Sequence, residues 1–394
     1  MRKVLICLLL IFMIIFPCAC GVQGNVVFEA TEVQDGQEPA KEQGKQWIDM
    51  QSIGQMELSY ATQFSVSYYE DGYVLITVLE DGRYLVVPEG HTVPQGLDED
   101  IKVLKQPLNR IYLVSTSVMD LFRAIEGLDF VRLSGLKAED WYIEEARQAM
   151  EAGKMLYAGK YSAPDFELIL SEQCGLAIEN TMIYHNPEVK EQLEQLGIPV
   201  LVERSSYESH PLGRMEWIKL YGVLTGKEAK AQAYFDEQIS KLTDILMGEN
   251  KGKTVAFFYV TANGAVNVRK TGDYVTKMIE LAGGTYVPAD TTESENALST
   301  MNMQMEAFYE AVKDADYLIY NSTIDGELGS LEDLYAKSEL FRDFKAVRDG
   351  HVWCMGKNMF QESTGLGDVI LDIYRILTEE DLDEAGLHYI YRLQ

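Results

Sequence analysis

The chain has 394 residues, enough for two domains of ordinary size. It is 47% hydrophobic and 24% charged, which are ordinary globular values and exclude extensive disorder. Acidic residues number 62 and basic ones 34, for a net charge of −28. Nucleic-acid binding and adhesion to anionic lipid both need the opposite, a basic footprint.

Met1-Arg2-Lys3 is a short basic leader, and Val4 to Phe16 is an unbroken apolar run. That run is short for a membrane span and fits the core of a signal peptide. Pro17-Cys18-Ala19-Cys20-Gly21 follows and resembles a bacterial lipobox, in which Cys20 becomes the lipidated first residue. Residues 1–19 are therefore expected to be a signal peptide. Residues 20–50, polar and acidic, are expected to be the lipidated cysteine and a flexible tether.

Residues 51–106 read as a β-rich add-on. Within it, 64–90 reads as a three-stranded meander broken by Glu70-Asp71-Gly72 and Glu80-Asp81-Gly82. Pro88, Pro94 and Pro107 mark an extended connector. From residue 107 strands alternate with helices, the pattern of a parallel α/β sheet. Strands are expected at 110–114, 130–134, 175–179 and 198–204, and helices at 118–126, 140–153 and 187–197. This N-terminal lobe ends near 226. Residues 227–247 contain no Gly, Pro or Asn, and Ala231, Phe235, Ile239, Leu242 and Leu246 recur at helical spacing. A rod of roughly 30 Å results, and 227–248 is expected to be a backbone helix. A second α/β lobe fills 249–394, with strands at 253–260, 264–270, 316–321 and 351–355 and helices at 273–284, 305–315 and 365–377.

Enzymatic motifs are absent: there is no GxGxxG, HExxH or GxSxG. GVLTGKE (222–228) lacks the spacing and the Ser or Thr of a phosphate loop. Five scattered histidines do not assemble a metal site readily, and Cys174 and Cys354 read as inert buried thiols.

Several strings carry a family resemblance: RIYLVSTSVMDLFRAIEGLDFVRLSG (110–135), PDFELILSEQCGLAI (164–178), EQLGIPVLV (194–202), the entry to the long helix at 221–227, and KMIELAGG (277–284). Their order, over 107–380, resembles the substrate-binding lipoproteins of ABC importers. The likeness is to the class with a helical backbone, which serves iron–siderophore, haem and cobalamin uptake. The resemblance implies an α/β fold of two Rossmann-like lobes joined by one long backbone helix, here with a small N-terminal β meander. It implies no enzyme activity and no intrinsic cofactor. A monomer on the extracytoplasmic face of the cell membrane is expected, with a metal chelate as ligand and an ABC permease as partner. A zinc or manganese receptor and a ligand sensor of the same fold stand as alternatives. A secreted enzyme would need a nucleophile or acid–base pair that is not visible.

The resemblance further implies permease docking through one exposed glutamate on each lobe, Glu167 in PDFELIL and Glu306 in MQMEAF. A separated pair of carboxylates steers and orients a cationic partner, although either residue also suits a plain solvated face. Ligand is expected between the lobes, at strand carboxyl ends. Ser115, Thr116 and Ser117 follow the first strand and either bind ligand oxygens or cap a helix. Tyr184 and His185 follow another strand. Residues 203–217 gather Arg204, Tyr207, Glu208, His210 and Arg214, either as an aromatic and cationic wall for an anionic chelate or as a salt-bridge knot bracing the long helix. In the C-terminal lobe Arg269, Lys270, Asn321, Lys357 and Phe360 hold comparable loop positions. MNMQM (301–305) reads as a helix entry packed into the core in preference to a thioether metal site.

Overall fold

The computed structural model describes residues 45–289, 300–324 and 326–394. The expected leader, Cys20 and the tether up to residue 44 lie outside the described residues. The β-rich segment forms a five-stranded sheet of β1 (Ser52–Gln55), β2 (Phe64–Tyr69), β3 (Val74–Val78), β4 (Gly82–Val87) and β5 (Ile101–Lys105), in that spatial order. Strands β1 to β4 run antiparallel, and β5 returns parallel to β4. In β3 the alternation buries Val74, Ile76 and Val78 on one face. The meander thus gains two strands. β1 is wholly exposed and carries no apolar alternation, while β5 occupies the expected connector and buries Ile101 and Leu104.

The N-terminal lobe runs β6 (Ile111–Leu113), α1 (Thr116–Ala124), β7 (Val131–Ser134), α2 (Glu144–Glu151) and β8 (Leu156–Tyr157). A small hairpin, β9 (Gly159–Lys160) and β10 (Ala163–Pro164), leads to α3 (Phe166–Ser171), β11 (Leu176–Asn180), α4 (Pro187–Gln195) and β12 (Val200–Glu203). Its main sheet is wholly parallel, ordered β12-β11-β6-β7-β8. Both faces are covered, which is why its strands read as continuous apolar runs. The helix expected over 140–153 is confined to α2.

Three helices follow: α5 (Pro211–Glu216), α6 (Ile218–Thr225) and α7 (Glu228–Leu246). The second half of 203–217, read as a loop, is therefore helical. Gly226 ends α6 in the left-handed region, φ 68°, so GVLTGKE is a helix stop between two helices. Along α7 the residues Ala231, Phe235, Gln238, Leu242 and Ile245 are buried, one stripe of a 3.6-residue repeat.

The C-terminal lobe comprises β13 (Lys253–Val260), β14 (Val266–Arg269), α8 (Tyr274–Leu281), β15 (Gly284–Tyr286), β16 (Thr300–Met303), α9 (Met305–Val312) and β17 (Tyr317–Asn321). It closes with α10 (Leu331–Lys337), α11 (Lys345–Asp349), β18 (Val352–Met355), α12 (Leu366–Thr378) and β19 (Ile390–Arg392). Parallel β13, β17 and β18 form the sheet's centre, with antiparallel β14, β16 and β19 outside. MNMQM is not a helix entry throughout. Met301 and Met303 lie on β16, because this stretch pairs with β14, and only Met305 opens α9.

Two buried carboxylates fasten the N-terminal sheet to the lobe. Glu216 accepts the backbone N–H groups of Ser59, Tyr60 and Ala61 at 2.8–3.1 Å and the Lys219 ammonium at 2.8 Å. Glu208 accepts those of Thr62 and Gln63 at 2.9 Å and the Trp217 indole N–H at 3.0 Å. Five consecutive amides thus end on two side chains of the α5 region. The approach is so close that a Cβ on Gly213 would lie 2.9 Å from the Tyr60 carbonyl oxygen. A second seam covers the edge strand β12. Tyr84 and Lys102 donate to the Val200 carbonyl at 2.7 and 3.0 Å, and Asp81 accepts the Val202 N–H at 2.9 Å.

The lobes share one apolar core, which runs from Ile76 of the add-on through Phe122 and Trp217 to Leu242 of α7 and Ile279 and Ile370 of the second lobe. A polar clamp adds to it. Buried Asp120 of α1 accepts the Thr364 N–H at 2.8 Å and its hydroxyl at 2.5 Å, and Ser363 donates to the Ser117 carbonyl at 2.8 Å.

Glu216→Gln keeps the shape of the first fastening but removes the charge that Lys219 and the amides face. Stability is expected to fall by about 3 kcal/mol in urea unfolding. The amides of 59–61 should lose hydrogen-exchange protection, and unchanged protection there would remove the carboxylate from this role.

Candidate functional site

A cleft of about 420 Å³ opens where the strand ends of the C-terminal lobe meet the α5 region. Ser206 and Arg214 line it on one side. Tyr259, Asn267, Arg269, Asp273, Tyr274, Thr300, Asn321, Thr323, Ile324 and Phe360 line the other. Openings at strand carboxyl ends are where α/β sheets bind ligands.

Two guanidinium groups dominate its chemistry. Arg214 projects from α5, and its guanidinium carbon lies 3.5 Å from the centre of the Tyr274 ring. Its Nη2 donates to the Ser206 carbonyl at 2.7 Å and its Nε to the Glu208 carbonyl at 3.2 Å. Burial pulls its pKa below the ordinary arginine value, against the pull of Tyr274, Asp273 and Glu203. Arg269 comes from β14 and stands 3.5 Å from the Asp273 carboxylate. Asp273 also caps α8, accepting the Val275 N–H at 2.9 Å. The Tyr286 hydroxyl accepts the Arg269 N–H at 2.8 Å and donates to the Arg269 carbonyl at 2.9 Å, which fixes the strand end. Asn267 donates to Asn302 at 2.7 Å across β14 and β16. Asn321, at the end of β17, accepts from the Thr323 N–H at 3.1 Å and from its hydroxyl. Among the described residues the wall carries two cations, one carboxylate and neutral hydrogen-bonding groups, and no histidine, cysteine or methionine.

The structure brings Arg214, Arg269, Asn321 and Phe360 into this cleft. The remaining sequence candidates lie outside its lining. Ser115 is buried, and its hydroxyl donates to Glu203 at 3.2 Å instead of capping α1. Thr116 opens α1, and the Ser117 carbonyl is held by Ser363. Tyr184 and His185 are exposed in a short 3-10 turn after β11. Arg204 is buried, paired with Glu80 of the add-on at 2.8 Å and stacked on Tyr207. His210 caps α5 by accepting the Leu212 N–H at 3.2 Å and stacks on Tyr60, and burial lowers its pKa. Lys270 follows Arg269, and the Lys357 backbone N–H donates to Glu327 at 3.0 Å. The 203–217 segment does form a structural knot, but Glu208 and Glu216 brace the N-terminal sheet and not the long helix. Glu167 and Glu306 are exposed in the first turns of α3 and α9. Cys354 is buried and Cys174 partly so, and burial pushes the Cys174 thiol up to about 11. Among the described residues no three His, Cys, Asp or Glu side chains are grouped to hold a metal ion.

The profile of the periplasmic binding protein family matches residues 118–359, both lobes and the helix between them. The chain belongs to the periplasmic binding protein family. An uncharacterized lipoprotein of Methanocaldococcus jannaschii is 25% identical to this binding protein over 371 residues, 85% of each chain. Among solved structures, a periplasmic heme binding protein from Pseudomonas aeruginosa superimposes with a TM-score of 0.55 at 14% identity, over 73% of this chain and 99% of that one. An ABC-type Fe3+-hydroxamate transport protein from Saccharomonospora viridis does so at 0.52 and 22% identity, over 69% and 94%. These likenesses establish the two-lobed, helical-backbone fold.

Sequence reasoning missed Tyr259, Asn267, Asp273 and Tyr274 of the binding protein's cleft. Asp273 and Tyr274 carried a usable signal, an Asp cap immediately before a helix. Asn267 carried none, because its place depends on the register of β14 against β16. Also unforeseen are two glutamates at the carboxyl end of the N-lobe sheet. Glu203 hydrogen-bonds Ser115 and the Ser205 N–H, and burial raises its pKa. Glu179 is fully buried, neither carboxyl oxygen has a partner, and burial pushes its pKa to about 8.

Folded Glu179 therefore holds a proton that the unfolded chain releases between its ordinary carboxyl value and pH 8. Its contribution to stability is full at low pH and is lost as pH rises through 8. Glu179→Gln, which cannot ionise, should gain about 4 kcal/mol on the parent between pH 4.5 and pH 8 in urea unfolding. Parallel curves for the two proteins would show that the carboxyl is not held neutral.

Proposed function

We propose that this chain is a lipid-anchored, extracytoplasmic binding protein that captures a metal chelate, a ferric siderophore, haem or corrinoid, and delivers it to an ABC importer. The observation that carries the reading is the cleft wall. Arg214 and Arg269 place two guanidinium groups with tyrosines around the Asp273 carboxylate, on a protein whose net charge is −28. Such a wall attracts anionic oxygen groups and offers planar, forked donors to them. Its described residues supply no imidazole, thiolate or thioether, which suits a metal that arrives with its coordination already complete. Among the described residues, a bare zinc or manganese ion would meet Asp273 as the one carboxylate of the wall, which Arg269 and Val275 already engage. The binding protein holds its cargo without converting it.

In this reading Cys20 carries the lipid, the tether ends before Lys45 to Trp47, which pair with the Gln95 backbone and so belong to the N-terminal sheet, and Glu167 and Glu306 present one carboxylate per lobe to the permease. The rigid α7 and the shared core favour a small rocking closure over wide hinge bending.

The full-length chain should be screened by thermal shift against ferric siderophores, haemin, cobalamin, zinc and manganese. A ligand at 100 times its dissociation constant stabilises by about 2.7 kcal/mol. A shift with one chelate and none with free metal is expected, and a shift only with zinc or manganese would replace the chelate reading. Charge reversal of Glu167 and Glu306 together should abolish transport while ligand affinity stays intact. Lost affinity in that variant would overturn the docking assignment.

A further inference from the structure

Arg204 follows β12 and looks at first like a third ligand cation, yet its side chain is only 5% exposed. Its guanidinium carbon lies 4.2 Å from the centre of the Tyr207 ring, and its charge acts on the nearby Tyr184 hydroxyl. The two tyrosines are 41% and 40% exposed. The buried cation is thus packed against the ring of the partly exposed Tyr207. Its charge is met by Glu80, at 2.8 Å, from the turn between β3 and β4 of the N-terminal sheet. Glu80 sits at φ 57°, in the left-handed region that a non-glycine residue holds only when its surroundings enforce it. The enforcement is visible next door. Asp81 accepts the β12 amide of Val202 and the Tyr84 hydroxyl, and stands 3.4 Å from Lys190. The turn is therefore locked to β12 immediately below Arg204. Tyr184 follows the carboxyl end of β11, and Tyr207 adjoins Ser206, a cleft-lining residue.

We infer that the N-terminal sheet is a specificity element of the binding site: Glu80 fixes Arg204, and Arg204 backs Tyr207, with Tyr184 close to the same cation, as an aromatic platform at the N-lobe rim, for a chelate with a conjugated aromatic face. The inference rests on the chelate-binding reading above. Glu80 and Arg204 are positioning residues. Because they neutralise each other, the platform adds no net charge, and selection there works by stacking. Attraction of anionic groups is left to Arg214 and Arg269. A ring whose back is held by a guanidinium presents its front face to a flat π-system at little entropic cost. A compact aliphatic hydroxamate gains nothing from it.

The test measures dissociation constants of the full-length chain for haemin, a ferric tricatecholate and a ferric trihydroxamate by calorimetry. Parent, Glu80→Gln, Arg204→Lys and Tyr207→Ala proteins are compared, each with its melting temperature. Tyr207→Ala should weaken the bound aromatic probe about tenfold, and Glu80→Gln and Arg204→Lys about fivefold, by loss of stacking worth roughly 1 kcal/mol. Arg204→Lys keeps the charge and loses the planar contact, so a purely electrostatic role would leave it unaffected. Tyr207 is exposed, so its variant keeps the test valid if Glu80→Gln unfolds. Unchanged affinity for an aromatic probe, or binding of the trihydroxamate alone, overturns the platform and leaves the chelate reading standing. Binding of none of these probes, and none of cobalamin, overturns both.

Discussion

Two carboxylates taking up the backbone amides of one five-residue loop set the geometry on which the rest of the structure depends. Burying a carboxylate costs several kcal/mol unless its oxygens are fully engaged. Glu208 and Glu216 meet that condition with main-chain N–H groups, the Trp217 indole and the Lys219 ammonium. The same stretch of chain carries Arg214, whose nitrogens rest on the Ser206 and Glu208 carbonyls. Anchoring the N-terminal sheet and seating a cleft guanidinium are therefore tasks of one turn and one short helix. A disturbance at the loop reaches the cleft through a few covalent bonds.

The second constraint is the continuity of the core. Apolar contact passes from the add-on through the first lobe and α7 into α8 and α12. Asp120 and Thr364 tie the lobes again through hydrogen bonds that water cannot easily replace, because Asp120 is fully buried. Two lobes held in this way form a receptor whose cleft is largely preformed, and preorganisation lowers the entropic cost of capture.

The architecture was legible because its signals are local. The stripe on α7, the apolar runs of the parallel strands and the glycine stops each need only a few neighbouring residues. The cleft was legible in part. Arg214 and Arg269 stood out as cations near strand ends. Asn267 depended on strand register, and Ser115 looked like a ligand donor although its hydroxyl is spent on Glu203, 88 residues away. Glu208 and Glu216 were hidden among 62 acids. The faint sign of Glu216 was an acid within an apolar helical stretch, HPLGRMEWIKL, where an unpaired charge has no place. β1 and β5 were missed because the first is polar throughout and the second follows prolines that suggested a connector.

The outer edge of β12 has a further consequence. An open strand edge invites pairing with any extended chain, and proteins usually blunt it with charge, a bulge or another strand. Here Tyr84, Lys102 and Asp81 reach across from a separate sheet and occupy the Val200 carbonyl and the Val202 amide. Side chains do the work of a sixth strand. The lobe ends in a sealed margin, so the sheet cannot be extended there by another molecule while the N-terminal sheet stays in place.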